Sequence, residues 1–185
     1  MNADPDTLSI VHHPAPILRR KAEPIGSIDE QTRAVAERMV ELMIEAPGIG
    51  LAAPQVGLPW RMFVCHVPQT EDQDPEATDP PEWTERPLVA INPELSDPSR
   101  DLIPYEEGCL SLPNITGEVR RPEQITLRAL DETGGEYTLR ASGLLSRCVQ
   151  HEYDHIEGVL ILDRMTPGAR LKNRRALKEL ERGIA

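Results

Sequence analysis

The sequence predicts an α+β fold in which small antiparallel or mixed sheets pack around a central helix carrying a His-Glu-x-x-His segment, with a further helix at the carboxy terminus. Three observations predict it. Short apolar and β-branched runs bounded by proline and glycine read as strands. A segment from Ser142 spreads Leu144, Leu145, Cys148, His151, Tyr153 and His155 over a wide, mostly apolar helical surface, as a buried helix does. A length of 185 residues with 39% hydrophobic side chains suits a single unit, residues 1–185, around one core.

The elements follow in order. Ser27 and Glu30 form a capping-box pattern ahead of Ile28, Val35, Met39, Leu42 and Met43, which predicts a first helix ending at Pro47-Gly48. The segment Gly48-Ile49-Gly50-Leu51-Ala52-Ala53-Pro54-Gln55-Val56-Gly57 is too rich in glycine and proline for a helix and too apolar for an exposed loop, which implies backbone lying close to something. Arg61–Val67 and Leu88–Ile91 read as strands. Between them, residues 68–86 hold four prolines and seven acidic residues against one basic residue, the composition of a solvated insertion loop. Ile125–Leu130 and Glu136–Ala141 pair as a hairpin whose turn draws positive φ from Gly134-Gly135. The short apolar run Val159–Leu162 follows the central helix, and Pro167 starts a final basic helix over residues 167–183.

Composition excludes several functions. A net charge of −11 repels a phosphate backbone, so sequence-specific nucleic-acid binding is not expected. Only the stretch from Arg164 onward reverses the sign, with Arg164, Arg170, Lys172, Arg174, Arg175, Lys178 and Arg182 against Glu179 and Glu181. No run approaches the ~20 apolar residues of a membrane span, and the amino terminus lacks the pattern of a secretory leader, so a cytoplasmic protein is expected. Cys65, Cys109 and Cys148 are odd in number and match no disulfide framework, which fits free thiols in a reducing compartment.

The chemistry concentrates in His151-Glu152-Tyr153-Asp154-His155. Residues four apart share a helix face, so His151 and His155 can place two imidazoles on one metal ion, with Glu152 set to hydrogen-bond a water held there. That water is the natural nucleophile for cleaving an amide. Two imidazoles need a third ligand. One peptidase pattern continues with glycine and then histidine at three-residue steps; Gly158 is present, but Ile161 cannot ligate. A downstream helical carboxylate would have to be Glu179, in the basic tail. Cys109, within Tyr105-Glu106-Glu107-Gly108-Cys109-Leu110-Ser111, offers a thiolate that closes a Cys-His-His site.

Three segments together, Gly48 to Gly57, Glu107-Gly108-Cys109-Leu110-Ser111 and Gln150-His151-Glu152-Tyr153-Asp154-His155, resemble the signature motifs of the peptide deformylases and occur in that family's order. The resemblance starts near Ile10 and extends through His13-Pro14 and Leu18-Arg19 to the final helix. It implies a bacterial enzyme that removes the formyl group from N-formylmethionyl nascent peptides and releases formate. It implies Cys109, His151 and His155 as metal ligands, Glu152 as general base and acid, and Gln55 with the backbone N–H of Leu110 as oxyanion donors. One divalent metal ion is implied, Fe2+ foremost, with Zn2+, Ni2+ or Co2+ able to substitute. Another metal-dependent amidase or peptidase, or a non-catalytic metal-binding module that holds peptide termini, are the alternatives.

The resemblance also implies that Ile49 and Gly50 pair with the extended substrate, and that Tyr105, Leu144, Arg147, Cys148 and the ring of His151 surround the methionine side chain. Leu144 and Cys148 are equally readable as core. Arg147 is expected to line that pocket with its aliphatic stem while its guanidinium reaches water. Glu107 reads as a carboxylate that orients a ligand or binds Gln55, or as a solvated one. Asp154 either pairs with Arg121 or balances surface charge. Cys65 reads as core packing. The basic tail is either a solvated helix or, as the resemblance implies, a dock for ribosomal RNA.

Overall fold

The computed structural model describes residues 3–70 and 79–183. The first helix, α1 (Glu30–Glu45), is capped two residues later than its sequence pattern predicts. Asp29 is the N-cap, and its carboxylate accepts the Thr32 N–H and hydroxyl, each at 2.8 Å. The carboxyl oxygen of aspartate reaches the first free amides of a helix directly, and Ser27 is not used.

Strands β1 (Gly50–Ala52), β2 (Met62–Cys65), β3 (Leu88–Ser96), β6 (Ile125–Leu130) and β7 (Glu136–Ala141) form one antiparallel sheet in the order β1-β2-β3-β6-β7. Strands β4 (Leu102–Gly108) and β5 (Thr116–Pro122) pair separately as a two-stranded sheet. All four residues of β2 are buried because both sheet faces are covered. Met62 and Val64 pack with Val35, Met39 and Met43 of α1. Phe63 and Cys65 point the other way, into a cluster with Leu145, Cys148, Val149 and Ile156 of α2 (Gly143–Ile156). Period two along the strand thus sends alternate residues to two helices. A third apolar cluster joins Val119 of β5 to Leu18, Leu112, Ile115, Ile161 and Leu180.

Strand β3 runs past the predicted end at Ile91. Asn92 takes φ +50 and Pro93 has no N–H to donate, so the register with β6 shifts between Ile91 and Glu94 and the ladder then resumes. Asn92 closes the bulge by bonding both the N–H and the carbonyl of Ile25 at 2.8 Å. The β6–β7 hairpin has the predicted bounds, with Asp131 accepting from Thr133 N–H and Gly135 N–H across the turn. The predicted strand Arg61–Val67 contracts to β2.

The carboxy-terminal helix predicted over residues 167–183 is divided. After α3 (Ile161–Arg164), α4 (Pro167–Lys172) and α5 (Arg174–Glu181) meet at Asn173, whose side-chain amide donates to the Thr116 carbonyl at 2.6 Å and to Ala169 O at 2.9 Å. Docking that amide onto β5 breaks the helix. The solvated reading of residues 68–86 fails for Pro80–Trp83, which are half-buried, and for Thr84, which is buried; residues 71–78 lie outside the described residues. No helix among the described residues is long and apolar enough to cross a membrane.

Phe63→Ala should cost about 3–5 kcal/mol, read as a lower urea midpoint at an unchanged slope. Asp29→Ala should lower the midpoint less, and in a pH-dependent way. Hydrogen bonds from Thr32 hold the Asp29 carboxyl below the usual aspartate range, so its contribution is present above the unfolded-state value and is lost as pH falls through the folded-state value. The midpoints of Asp29→Ala and the parent chain should therefore converge in acid.

Candidate metal centre

Glu107 at the end of β4, Cys109 just beyond it, and His151, Glu152 and His155 on α2 meet at one place. The ligand atoms of Cys109, His151 and His155 all lie within 4.8 Å of one another, and Cys109 Sγ is 3.2 Å from His155 Nε2. The two imidazole rings are one helical turn apart, 5.0 Å between centroids at 63°. Burial first, and the neighbouring His151 second, hold His155 well below the usual imidazole range, so it is neutral with a lone pair to offer. Burial, with the Glu152 carboxylate adding, pushes the Cys109 thiol up to about 12. A buried thiol and two imidazoles fit a divalent cation, whose charge would reverse the penalty on the thiolate.

Glu152 is 4% exposed, its Oε2 has no hydrogen-bond partner, and burial pushes its carboxyl well above the usual range. Gly50 makes the room for it: a Cβ there would come within 2.3 Å of Glu152 Oε1. Gln55 is 1% exposed; its Oε1 accepts the Ala52 N–H at 2.8 Å, and its Nε2 faces Ser111 Oγ at 3.3 Å and Cys109 Sγ at 3.6 Å. Ser111 thus holds the glutamine amide beside the cluster, a role its sequence neighbourhood did not signal.

Glu107 is buried and shared. It accepts His151 Nδ1 at 3.0 Å, Arg121 Nε at 2.7 Å and Nη2 at 3.0 Å, and Arg147 Nη1 at 2.7 Å. Burial alone would raise its carboxyl; the bonds from His151 and Arg121 win and hold it well below the usual range. The carboxylate fixes the ring of His151 through Nδ1, which leaves Nε2 as the lone-pair atom. Of the alternatives for Glu107, the structure shows a bond to His151 and none to Gln55, and the carboxylate is not solvated. Asp154 does pair with Arg121, at 2.8 Å, and also with Arg164 at 2.7 Å.

The expectation for Arg147 fails in one part: it lines the cleft, but its guanidinium does not reach water. Its guanidinium is buried, donating to Glu107, to Val119 O at 3.2 Å and to Ile103 O at 2.6 Å, and it lies over the Tyr105 ring at 5.2 Å. A buried carboxylate next to it outcompetes water for the guanidinium. Cys65 is fully buried in the apolar cluster, as its strand position implied.

One cleft of about 460 Å³ is lined by Ile49, Gly50, Gln55, Tyr105, Glu107, Cys109, Leu110, Leu144, Arg147, Cys148, His151 and Glu152. His155 lies behind that wall, reached through Cys109. Pro47, Gly48, Glu106, Asn114 and Thr116 also line it and were not anticipated; only their adjacency to the motifs pointed to them. Tyr105 is half exposed at the mouth, whereas Cys148 is both wall and core. The Ile49 carbonyl already accepts the His66 N–H at 2.8 Å and the Cys148 thiol at 3.2 Å, so an added strand must use other groups of β1.

Fold and site together define a hydrolase. The Polypeptide deformylase family model matches residues 7–171. A peptide deformylase of Rhizorhabdus wittichii is 43% identical over 173 residues, covering 94% of this chain and 93% of that protein. The crystal structure of peptide deformylase from Ehrlichia chaffeensis superposes with a TM-score of 0.85 at 34% identity, covering 95% of this chain and 96% of that one. A plant peptide deformylase superposes with a TM-score of 0.83 at 38% identity, covering 96% and 90%. The chain belongs to the polypeptide deformylase family and is an enzyme of the peptide deformylase class.

Arg121 joins two buried carboxylates, Glu107 and Asp154. Arg121→Met leaves both short of a partner and should cost about 3–5 kcal/mol in chemical denaturation. Arg121→Lys should recover little of it, because an ammonium cannot serve both carboxylates in the geometry of the fork.

Proposed function

We propose that this enzyme removes the formyl group from the amino-terminal formylmethionine of nascent polypeptides in a bacterial cytoplasm, using one divalent ion held by Cys109, His151 and His155. The observation that carries this reading is the buried, unpartnered oxygen of Glu152, near the three donor atoms and in the lining of a cleft of about 460 Å³. The ion, Fe2+ by preference, with Zn2+, Ni2+ or Co2+ able to take its place, supplies Lewis acidity toward the formyl oxygen and makes water a stronger nucleophile at neutral pH. The chain's own residues do the rest.

Glu152 takes a proton from the attacking water and delivers it to the departing amine nitrogen, so that water and the formamide become formate and a free amino terminus. Its apolar burial suits a group that must hold and release a proton near neutrality. Gln55 Nε2 and the backbone N–H of Leu110 serve the oxygen on which negative charge develops; losing one such donor typically costs about 10²–10³ in rate. The longer, 3.6 Å contact of Gln55 to Cys109 is the one a substrate oxygen would replace. β1 is the edge strand of its sheet and borders the cleft at Gly50, which supports pairing of the extended peptide beside it. Tyr105, Leu144, Arg147, Cys148 and the His151 ring form the pocket for the methionine side chain, with the Arg147 guanidinium braced on Glu107. The basic face of α4 and α5 supports a dock on ribosomal RNA. The domain assignment that follows is one catalytic unit over residues 1–185.

Protein purified anaerobically with ferrous iron or nickel should release formate from formyl-Met peptides. Metal-loaded protein that releases none would refute the reading and leave a metal-binding module. Glu152→Gln should retain the metal and lose about 10²–10⁴-fold in turnover; turnover kept at the parent rate removes Glu152 from its role. Exposure to air should lower activity by oxidising the Cys109 thiolate, and a thiol reductant should restore only the portion not yet past the sulfenic stage.

A further inference from the structure

Residues 79–84, the part of the insertion that returns toward β3, lie across the first turn of α2. The Ser142 N–H donates to the Pro81 carbonyl at 3.0 Å, the Leu145 N–H to the Glu82 carbonyl at 3.1 Å, and the Ser142 hydroxyl to the Pro80 carbonyl at 2.5 Å. The Leu145 N–H is one of the first-turn amides that have no partner within their own helix. Ser142 stands at the N-cap position but makes no cap with its side chain, so the insertion's carbonyls supply what a capping side chain ordinarily supplies. Gly143, at φ +52, marks the closest approach: a Cβ there would come within 2.7 Å of Glu82 Cδ.

The segment is anchored at its other side as well. The Thr84 N–H donates to the Val67 carbonyl at 2.8 Å, the Val67 N–H to Thr84 Oγ1 at 3.2 Å, and Thr84 Oγ1 sits 2.8 Å from His66 Nδ1. Trp83 packs against the apolar cluster that contains Leu145, Cys148 and Val149. One short piece of chain therefore ties the residues after β2, the core and the start of α2 together. That start carries Leu144, and the following turn carries Cys148, both in the cleft wall. Leu144 is 37% exposed, so core burial alone does not hold it in place.

We infer that residues 80–84 are a strap that positions the first turn of α2, and through it Leu144 and Cys148, so that the insertion tunes recognition of the substrate's first side chain. This rests on the cleft being the deformylase site proposed above. His151 and Glu152 lie two turns further along α2, so the strap acts on recognition more than on the chemical step.

Trp83→Ala and Ser142→Ala each test it, with Trp83→Phe as the conservative variant. In the metal-loaded enzyme, both should raise KM for a formyl-Met peptide while kcat stays near the parent value, Ser142→Ala by about 2–12-fold, the worth of one hydrogen bond. The preference for formyl-Met over formyl-Leu peptides should fall by a similar factor, and Trp83→Phe should restore both. Amide hydrogen exchange should accelerate at Gly143–Arg147 and stay unchanged at His151–Ile156. A lowered melting temperature with unchanged KM, preference and exchange makes the segment structural only and overturns the inference, as does a loss confined to kcat. Should the parent enzyme release no formate, the functional reading fails by itself. Exchange then still decides the strap: acceleration confined to the first turn supports positioning, and uniform or absent change removes it.

Discussion

A single carboxylate, Glu107, is where the two-stranded sheet meets the site helix. Among the described residues the two-stranded sheet shares no ladder with the five-stranded one, and side chains tie it to the site helix. Glu107 at the end of β4 receives Arg121 from β5 and both Arg147 and His151 from α2. Removing such an anion from water is expensive, and the several charge-assisted bonds that offset it work in only one arrangement. What the cluster contributes is therefore position. With His151 fixed through Nδ1 and Cys109 two residues past Glu107, the thiol and the imidazoles are brought together by the same bonds that dock β4 on α2. Asp154, bonded to Arg121 and Arg164, extends the brace to the end of that helix.

On the opposite side of the cleft the constraint is space. Gly50 lets β1 approach Glu152 more closely than any side chain would permit. The Glu152 carboxyl is thereby shut into a buried setting with an unpartnered oxygen, which raises its proton affinity. Polar satisfaction at Glu107 and deliberate lack of it at Glu152 give two acids on neighbouring elements opposite protonation behaviour.

What could be read in the sequence was local. α2 and the β6–β7 hairpin carry their signals within about fifteen residues, as apolar spacing and as an Asp-x-x-Gly-Gly turn, and they fold as that spacing implies. β4 and β5 gave no such signal: β4 is mostly exposed and includes Pro104, and β5 alternates Gly117, Val119 and Arg121 inward, so that one buried position is a glycine and another a charge. Arg121 is inward because Glu107 and Asp154 await it, a long-range fact. The same blindness misplaced Arg147, since only the fold reveals the carboxylate its guanidinium meets. Asn173 breaks the last helix through a bond to β5 that no helical periodicity encodes. Cys109, His151 and Glu152 line one cleft, with His155 beside Cys109, and motif spacing made that grouping readable. Ser111, which holds Gln55, lay inside a motif without being singled out.

The central claim is that Cys109, His151 and His155 hold one catalytic ion. Cobalt(II) loaded into the purified protein reports the donor atoms directly. One tightly bound cobalt per chain should appear with an intense thiolate-to-cobalt charge-transfer band, abolished in Cys109→Ala. Cobalt bound without that band, or a band that survives loss of Cys109, would contradict ligation by Cys109.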